Sequence, residues 1–344
     1  EMRERDWSSD VCSSDLQINE EVAIMGKTNV KVAKPKSGLT FFQKVKRSRI
    51  LLLMCLPAIL FFIAFSYAPL PGIWVAFVKY NYRNGIFGSK FVGLQNFEFL
   101  AQSGKLLTLT RNTILYNLAF IILGNVIAVF IAILLNEIQS KWFKKVSQTM
   151  MFLPYFISQV LVGVLVYNLL NYDFGFVNGI IRALGGSEDH LLNPYGNPNV
   201  WPVLMVLINL WQKTGYNSVV YFAAICGIDS EIIEAAKVDG ANGFQKIRYI
   251  ILPSLKPTIV ILLLFALGGI VKGDFGLFYN IVGTNSLLYP TTDIIETYVY
   301  RATMTDFNFS YASAVGLYQS IIGFVMVMVV NGVVKKIEPD YSLF

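Results

Sequence analysis

The hydrophobic pattern of the chain is a series of long apolar runs separated by polar segments. A helix needs about 20 mostly apolar residues to cross the hydrocarbon core of a membrane. The windows that approach this length are residues 50–67, 112–135, 150–170, 200–224, 258–281 and 312–334. The pattern predicts an all-α integral membrane protein with about six transmembrane helices, which together form one membrane domain over residues 50–336.

The first apolar window has the general look of a signal peptide, but it is long and lacks a clear small-residue cleavage site. It continues through Pro69 and Pro71, and proline lacks the backbone N–H that a helix interior uses. We interpret this window as a retained helix with a kink or break at the two prolines.

Composition agrees with a membrane protein. The chain is 55% hydrophobic and 15% charged, and its mean hydropathy is +0.54. Ordinary soluble domains carry roughly 25% charged residues. The cysteines at positions 12, 55 and 226 show no pairing or metal-ligand spacing, and His190 is the only histidine. A disulfide framework or a zinc site is therefore not expected.

The distribution of basic residues predicts the orientation. With six spans both termini lie on one side, and the segments on that side hold 17 lysines and arginines against 7 in the opposite loops. The positive-inside rule then places both termini in the cytoplasm. The net charge of +6 arises at the ends of apolar runs, which is typical of membrane topology and not of nucleic-acid binding.

The ends of the chain fall outside the membrane domain. Residues 5–16 read RDWSSDVCSSDL, which matches, in one reading frame, the translation of a common sequencing-library adapter. Our hypothesis is that residues 1–24 are a non-native leader before a natural start near Met25, and a disordered polar tail is the alternative.

The basic arm at residues 25–49 is typical of an amphipathic helix on the inner leaflet, although a stop-transfer anchor fits equally well. Residues 337–344 are predicted to be a cytoplasmic tail.

The loop between the fourth and fifth windows carries a helix–turn–helix pattern. Asp229 or Ser230 can cap a helix that begins at Glu231, with acidic residues in its first turn. Residues 239–240 break this helix, and a second helical piece is predicted over residues 244–252, before a proline. The alanines leave a surface that can sit close inside a groove of another protein. A loop that only ties two spans together is the alternative.

Residues of this loop match a family signature. The spacing is Glu-Ala-Ala, three residues, Gly, nine residues, Ile, any residue and Leu-Pro, and it is met by Glu234, Ala235, Ala236, Gly240, Ile250, Leu252 and Pro253. The pattern resembles the cytoplasmic coupling motif of permease subunits of bacterial ABC importers. FVGLQNF at residues 91–97 and TTDIIETYVYR at residues 291–301 are similar to the carbohydrate-uptake branch, and most similar to its LplB-type permeases of complex oligo- or polysaccharides.

The resemblance implies a type I permease fold in the bacterial cytoplasmic membrane and a set of partners. Two cytoplasmic ATPase subunits would hold ATP and Mg²⁺ and would grip the coupling loop at residues 227–257, with Asp239 and Gly240 setting its turn. An extracytoplasmic lipoprotein would deliver sugar, and a second, different permease would complete a heterodimer. No cofactor is expected in this chain, which lacks a Gly-rich phosphate loop followed by lysine.

The fourth and fifth windows contain polar residues that a purely structural bundle avoids. An ionisable group at membrane depth costs at least about 2.5 kcal/mol, so it faces a cavity or a partner by default. The predicted substrate path consists of Trp211, Lys213, Tyr216, Asn217, Tyr221, Lys272, Asp274 and Phe275. Alternatively, Lys213 pairs with Asp274 for structural reasons, Lys272 snorkels to the interface, and the aromatic residues form an interfacial belt.

Other classes of function remain as alternatives. An ion-coupled secondary transporter would also have buried charges, but it predicts inverted repeats and a self-sufficient ion site, and no convincing repeat is visible. A membrane enzyme is hard to assemble with one histidine and no cluster of acids on one face. Within the importer class, a non-sugar solute is the other possible cargo.

Overall fold

The computed structural model describes residues 49–337 and divides the chain into two units, Glu1–Trp74 and Val75–Phe344. The predicted leader, almost all of the basic arm and almost all of the tail lie outside the described residues.

The described part of the first unit is one apolar helix that changes type along its length. Helix α1 (Arg49–Phe62) runs through Pro57 and continues as a π-helical turn, Ile63–Tyr67, and a 3₁₀ helix, Leu70–Phe77, whose last three residues belong to the second unit. The segment Leu52–Phe77 has a mean hydropathy of 2.1 and is long enough to cross a membrane. The change to 3₁₀ geometry occurs where the prolines remove backbone donors, so the predicted break is a change of helix type.

The second unit is helical, with one small antiparallel sheet in which Val78 pairs with Phe91. Its elements in chain order are β1 (Val78–Asn81), α2 (Gly85–Gly88), β2 (Ser89–Phe91), α3 (Gln95–Gln102), α4 (Lys105–Glu137), α5 (Lys141–Phe152), α6 (Gln159–Leu170), α7 (Phe176–Ala183), α8 (Trp201–Cys226), α9 (Ser230–Val238), α10 (Gly243–Lys246), α11 (Leu252–Gly268), α12 (Phe275–Val282), α13 (Tyr289–Thr292), α14 (Ile295–Met304) and α15 (Phe309–Ile337).

Within residues 49–337, four helical segments are long and apolar enough to span a membrane: Leu52–Phe77, Lys105–Glu137, Gly243–Gly268 and Phe309–Lys336. A bent pair of helices raises the number to five if it counts as one span. Helix α8 has 26 residues but is less apolar, because polar residues interrupt its middle. The helical membrane fold is as predicted, whereas only part of the predicted set of six passes this test of length and apolarity.

Two of the predicted windows are not continuous helices. In the third window the chain bends by 95° between Lys141–Phe156 and Gln159–Leu170. Ser158, in the short break between them, is the N-cap residue of α6. The fifth is interrupted after Gly268, and helical structure resumes only at Phe275. A hydropathy window cannot detect either break, because the interrupting residues are few.

Helices α4 and α8 run in the same direction, side by side. Tyr116 near the start of α4 shares an apolar cluster with Trp201 at the start of α8, and Ala132 near the end of α4 shares another with Ile225. With 33 residues, α4 is about 50 Å long. Positions along α4 therefore give the approximate depth of neighbouring residues within the helical unit.

Candidate functional site

The break between α11 and α12 exposes backbone groups that a continuous helix would have paired. The Asn117 amide donates to the carbonyl oxygens of Ile270 and Lys272, at 2.9 and 3.2 Å. The Gln319 amide donates to the carbonyl of Val271, and the backbone N–H of Gly273 donates to the carboxylate of Glu296 at 2.6 Å. Non-helical backbone at membrane depth requires such internal partners.

Asp274 lies at the end of this break and holds three elements together. Its Oδ1 accepts from the Gln159 amide at 2.7 Å and from the backbone N–H of Leu277 at 3.2 Å, which caps α12. Its Oδ2 pairs with the Lys213 ammonium at 2.5 Å. The pair is partly buried, since the side chain of Asp274 is 14% exposed and that of Lys213 is 40% exposed.

A cavity of about 470 Å³ opens beside this ion pair. Asn209, Lys213 and Asn217 face it from α8, because positions four apart share one face of a helix. Its other polar lining residues are Asn117, Asn125, Gln159, Thr214, Lys272 and Asp274. The Asn209 amide nitrogen and the Thr214 hydroxyl are buried there without a partner among the described residues. Amides and hydroxyls of this kind can bond either donors or acceptors of a polar cargo.

The cavity lies near the middle of the helical unit. Eight residues from the start of α4, the hydroxyl of Thr113 accepts from the backbone N–H of Ile295. At the other end, Glu137 and Lys246 lie 3.8 Å apart as an ion pair. Asn125 is twelve residues, or about 18 Å, from each of these α4 positions. Because a hydrocarbon core is about 30 Å thick, the cavity sits close to mid-depth.

The predicted path residues divide into two groups. Five of them line the cavity together: Lys213, Asn217, Lys272, Asp274 and Phe275. Trp211 and Tyr216 are each 44% exposed on other parts of the α8 surface, and the ring of Tyr216 stacks on Tyr155 with centroids 4.3 Å apart. Tyr221 is fully buried, and its hydroxyl donates to Asn125. These three aromatic residues do not line the cavity.

Several cavity residues were not identified from the sequence. They are Asn117, Asn125, Gln159 and Asn209. A signal was present in two of them: Asn117 and Asn125 are amides inside an apolar run, eight residues apart on one helical face. Gln159 carries no such signal, because it contacts Asp274 across 115 residues of chain.

At the end of α8 farthest from Trp201, helix α9 forms as predicted. The carboxylate of Asp229 accepts from the backbone N–H of Glu231 at 2.9 Å and caps the start. At its end Gly240 has φ +78°, the backbone N–H of Ala241 bonds the carbonyl of Ala236, and that of Gly240 bonds the carbonyl of Lys237. This is a Schellman motif, which needs a residue in the left-handed conformation after the helix.

Helix α9 leaves most of its surface open. Glu234, Ala235 and Asp239 are exposed, and Ala236 is half-buried. Val238 is 88% exposed and Ile232 is 52% exposed. Helix α9 therefore presents both charged and apolar side chains, with Val238 as its most exposed apolar residue.

The second helical piece differs from its prediction. Asn242 and Gln245 cap each other in a capping box before α10, at 2.8 Å in both directions. A π-helical turn, Ile247–Ile251, follows and leads directly into α11, so the helix does not end before Pro253. Pro253 follows the π turn directly, and a π turn alters the i→i−4 hydrogen-bond pattern at the point where proline removes a backbone donor. Ile250 thus lies in the π turn, and Leu252 and Pro253 begin a membrane helix.

In the described part of the chain, no group of three or more His, Cys, Asp or Glu side chains is placed to hold a metal ion.

Comparison with known proteins decides the class. The family model described as "binding-protein-dependent transport system inner membrane component" matches residues 124–342, well over half of the chain. The chain belongs to this family. It is 33% identical over 311 residues to the polygalacturonan/rhamnogalacturonan transport system permease protein YteP of Bacillus subtilis (strain 168), covering 88% of this chain and 95% of that protein. Protein LplB of the same organism is 29% identical over 314 residues, covering 91% of this chain and 97% of LplB.

Solved structures agree with the family assignment. The permease fold matches a chain of a bacterial ABC transporter involved in the import of the acidic polysaccharide alginate, with a TM-score of 0.76 and 30% identity over 86% of this chain and 99% of that one. A second structure of an alginate transporter, in complex with an alginate pentasaccharide-bound periplasmic protein, gives a TM-score of 0.76 and 31% identity, covering 86% of this chain and 98% of that chain.

The family resemblance inferred from the sequence is thus confirmed. This permease is a multi-pass membrane subunit of a binding-protein-dependent transport system, with the helical type I permease fold. Its relatives are transport permeases, and none of these comparisons favours an ion-coupled carrier.

Proposed function

We propose that this permease imports an oligo- or polysaccharide, driven by ATP that separate subunits hydrolyse. The mid-depth cavity carries the proposal, because its amides, its hydroxyl and the Lys213–Asp274 pair match the hydroxyl-rich surface of a sugar. The named relatives transport polygalacturonan, rhamnogalacturonan or alginate, which supports a saccharide over a non-sugar solute.

Energy would enter through α9. Two cytoplasmic ATPase subunits would bind ATP and Mg²⁺ and dock on the coupling loop, with Glu234, Ala235 and Ala236 on the docking helix. Asp239 and Gly240 would set the turn, and Ile250, Leu252 and Pro253 would link that turn rigidly to α11. Because α10, the π turn and α11 form one continuous helix, Gly243–Gly268, a movement of α9 would be transmitted along it to the break beside Asp274.

Orientation and partners complete the proposal. The side of the membrane that holds α9 would be the cytoplasm, with both termini on it, in agreement with the excess of basic residues there. The opposite side would receive a solute-binding lipoprotein. A second permease would close the cavity, whose present wall is open on one side.

Transport by the reconstituted complex tests the proposal. The permease, its partner permease, the ATPase and the binding protein would be placed in vesicles and supplied with labelled acidic and neutral oligosaccharides. We expect uptake that requires both ATP and the binding protein. Uptake driven by a pH or sodium gradient alone, or uptake restricted to non-sugar solutes, would contradict it.

A further inference from the structure

Three aromatic rings lie together between α12 and α14. The ring centroids of Phe275 and Tyr279 are 5.1 Å apart and stacked, and Tyr300 is 5.0 Å from Phe275 and 4.8 Å from Tyr279. We call Phe275, Tyr279 and Tyr300 the aromatic strip. Sequence analysis singled out Phe275 alone.

The aromatic strip connects two cavities. Phe275 lines the mid-depth cavity, whereas Tyr279 and Tyr300 line a second pocket of about 210 Å³. This outer pocket lies between α12, α13 and α14, near the end of α4 that bonds Ile295, and therefore on the side opposite α9.

The strip is not part of the packed core. Tyr279 is 36% exposed, and Tyr300 and Phe275 are half-buried. The neighbouring Phe278, on the other face of α12, is 1% exposed and supplies the core contact of this helix. Phe278 also lines the inner wall of the outer pocket, so the strip differs from it by being exposed and not by its position alone.

Part of the wall of the outer pocket is polar, and its charged groups are paired. The Arg301 guanidinium pairs with the Asp293 carboxylate at 2.5 Å and lies 4.0 Å from the centre of the Tyr289 ring. Asp293 also accepts from the hydroxyl of Thr297 at 2.7 Å. A planar aromatic face opposite fixed hydroxyl and charged groups suits a sugar, which has both apolar C–H faces and hydroxyl edges.

We infer that the aromatic strip and the outer pocket form a second saccharide subsite, which passes sugar rings by stacking from the delivery side to the mid-depth cavity. The inference rests on the proposed function and adds residues to it. Lipid or the second permease are the competing occupants of these rings. Lipid is disfavoured because the pocket beside the rings contains a buried ion pair and threonine hydroxyls.

The test compares variants of the strip in the assembled transporter. Tyr279→Ala and Tyr300→Ala each remove a stacking face, and an aromatic contact contributes about 0.5–1.5 kcal/mol. We expect each change to raise the KM of ATP-driven saccharide uptake about two- to tenfold, with normal assembly and melting temperature. Tyr279→Phe keeps the ring and should keep the wild-type KM.

Phe99→Ala is the matched control. Phe99 is 52% exposed and stacks on Tyr311 with centroids 5.1 Å apart, but it lines neither of the two cavities. Its removal should leave KM unchanged. An unchanged KM in both tyrosine variants would overturn the subsite, and so would loss of the second permease during purification, since that identifies the strip as a subunit interface. A wild-type complex that imports no saccharide would overturn the proposed function as well.

Discussion

Helix α9 and the mid-depth cavity of this permease differ in how their structure is fixed. Helix α9 is short and exposed, and its ends are fixed by local hydrogen bonds within a few residues of chain. The cavity is assembled from α4, α6, α8 and the break before α12, which meet only in the folded protein. Changes at α9 should therefore affect partner binding with little effect on folding, whereas changes at the cavity should affect both.

The largest separation of binding from folding is expected at Val238. Val238→Asp places a charge on the most exposed apolar side chain of α9, and loss of a docking hot spot costs about 2 kcal/mol or more. We expect ATPase binding to weaken at least about 30-fold, with an unchanged melting temperature of the permease. Co-purification of the ATPase and thermal unfolding in detergent would measure the two effects.

Leu184→Asp is the control for this change. Leu184 is 83% exposed and follows α7, in a loop distant in sequence from α9. It should leave ATPase co-purification at the wild-type level. Equal losses of ATPase co-purification from both substitutions would contradict the prediction that α9 is the docking site.

The same contrast explains what the sequence could predict. The cap at Asp229 and the turn at Gly240 depend on residues two to five positions apart, so they were predictable from local rules. The bonds of Asp274 to Gln159 and Lys213 span 115 and 61 residues. The pair with Lys213 was one alternative offered by the sequence, because both charges lie in apolar windows, but no local rule pairs Asp274 with Gln159. The sequence analysis identified the charged residues of the cavity and Phe275, but it missed four amide side chains that line it, among them Gln159.

Close backbone contacts were also beyond local prediction. A Cβ atom at Gly215 would collide with the carbonyl oxygen of Met151, so this glycine lets α8 lie directly against the end of α5. In the sequence Gly215 is one glycine within a polar stretch, and its neighbour across the contact is 64 residues earlier. Only the tertiary structure shows why this position requires a residue without a side chain.

The second prediction concerns the ion pair in the cavity. Asp274→Asn keeps a side chain that can cap α12 and accept from Gln159, but it leaves the Lys213 charge without its partner. Because Lys213 is 40% exposed, we expect a loss of about 2 kcal/mol, below the 3–5 kcal/mol of a fully buried pair. Membrane level and melting temperature should both fall.

The double variant Lys213→Met with Asp274→Asn sharpens this result. No unpaired charge remains, so stability should recover. Uptake should stay low, because Lys213 would also be missing from the substrate path. Full recovery of uptake would show that the pair is structural and would remove Lys213 from the path.

The smallest expected effect is at the turn that ends α9. Gly240 has φ +78°, and a side chain in this left-handed conformation costs about 1 kcal/mol. No atom lies within 4 Å of a Cβ at Gly240 or at Gly243, so the two sites differ in backbone conformation and not in available space. We expect Gly240→Ala to reduce ATP-driven uptake by up to about fivefold, and Gly243→Ala to have no effect, as measured in vesicles with equal amounts of complex. Equal uptake by both variants would show that the left-handed turn does not set the geometry of coupling. The contrast between a helix fixed by local hydrogen bonds and a cavity fixed by tertiary contacts would then not extend to this turn.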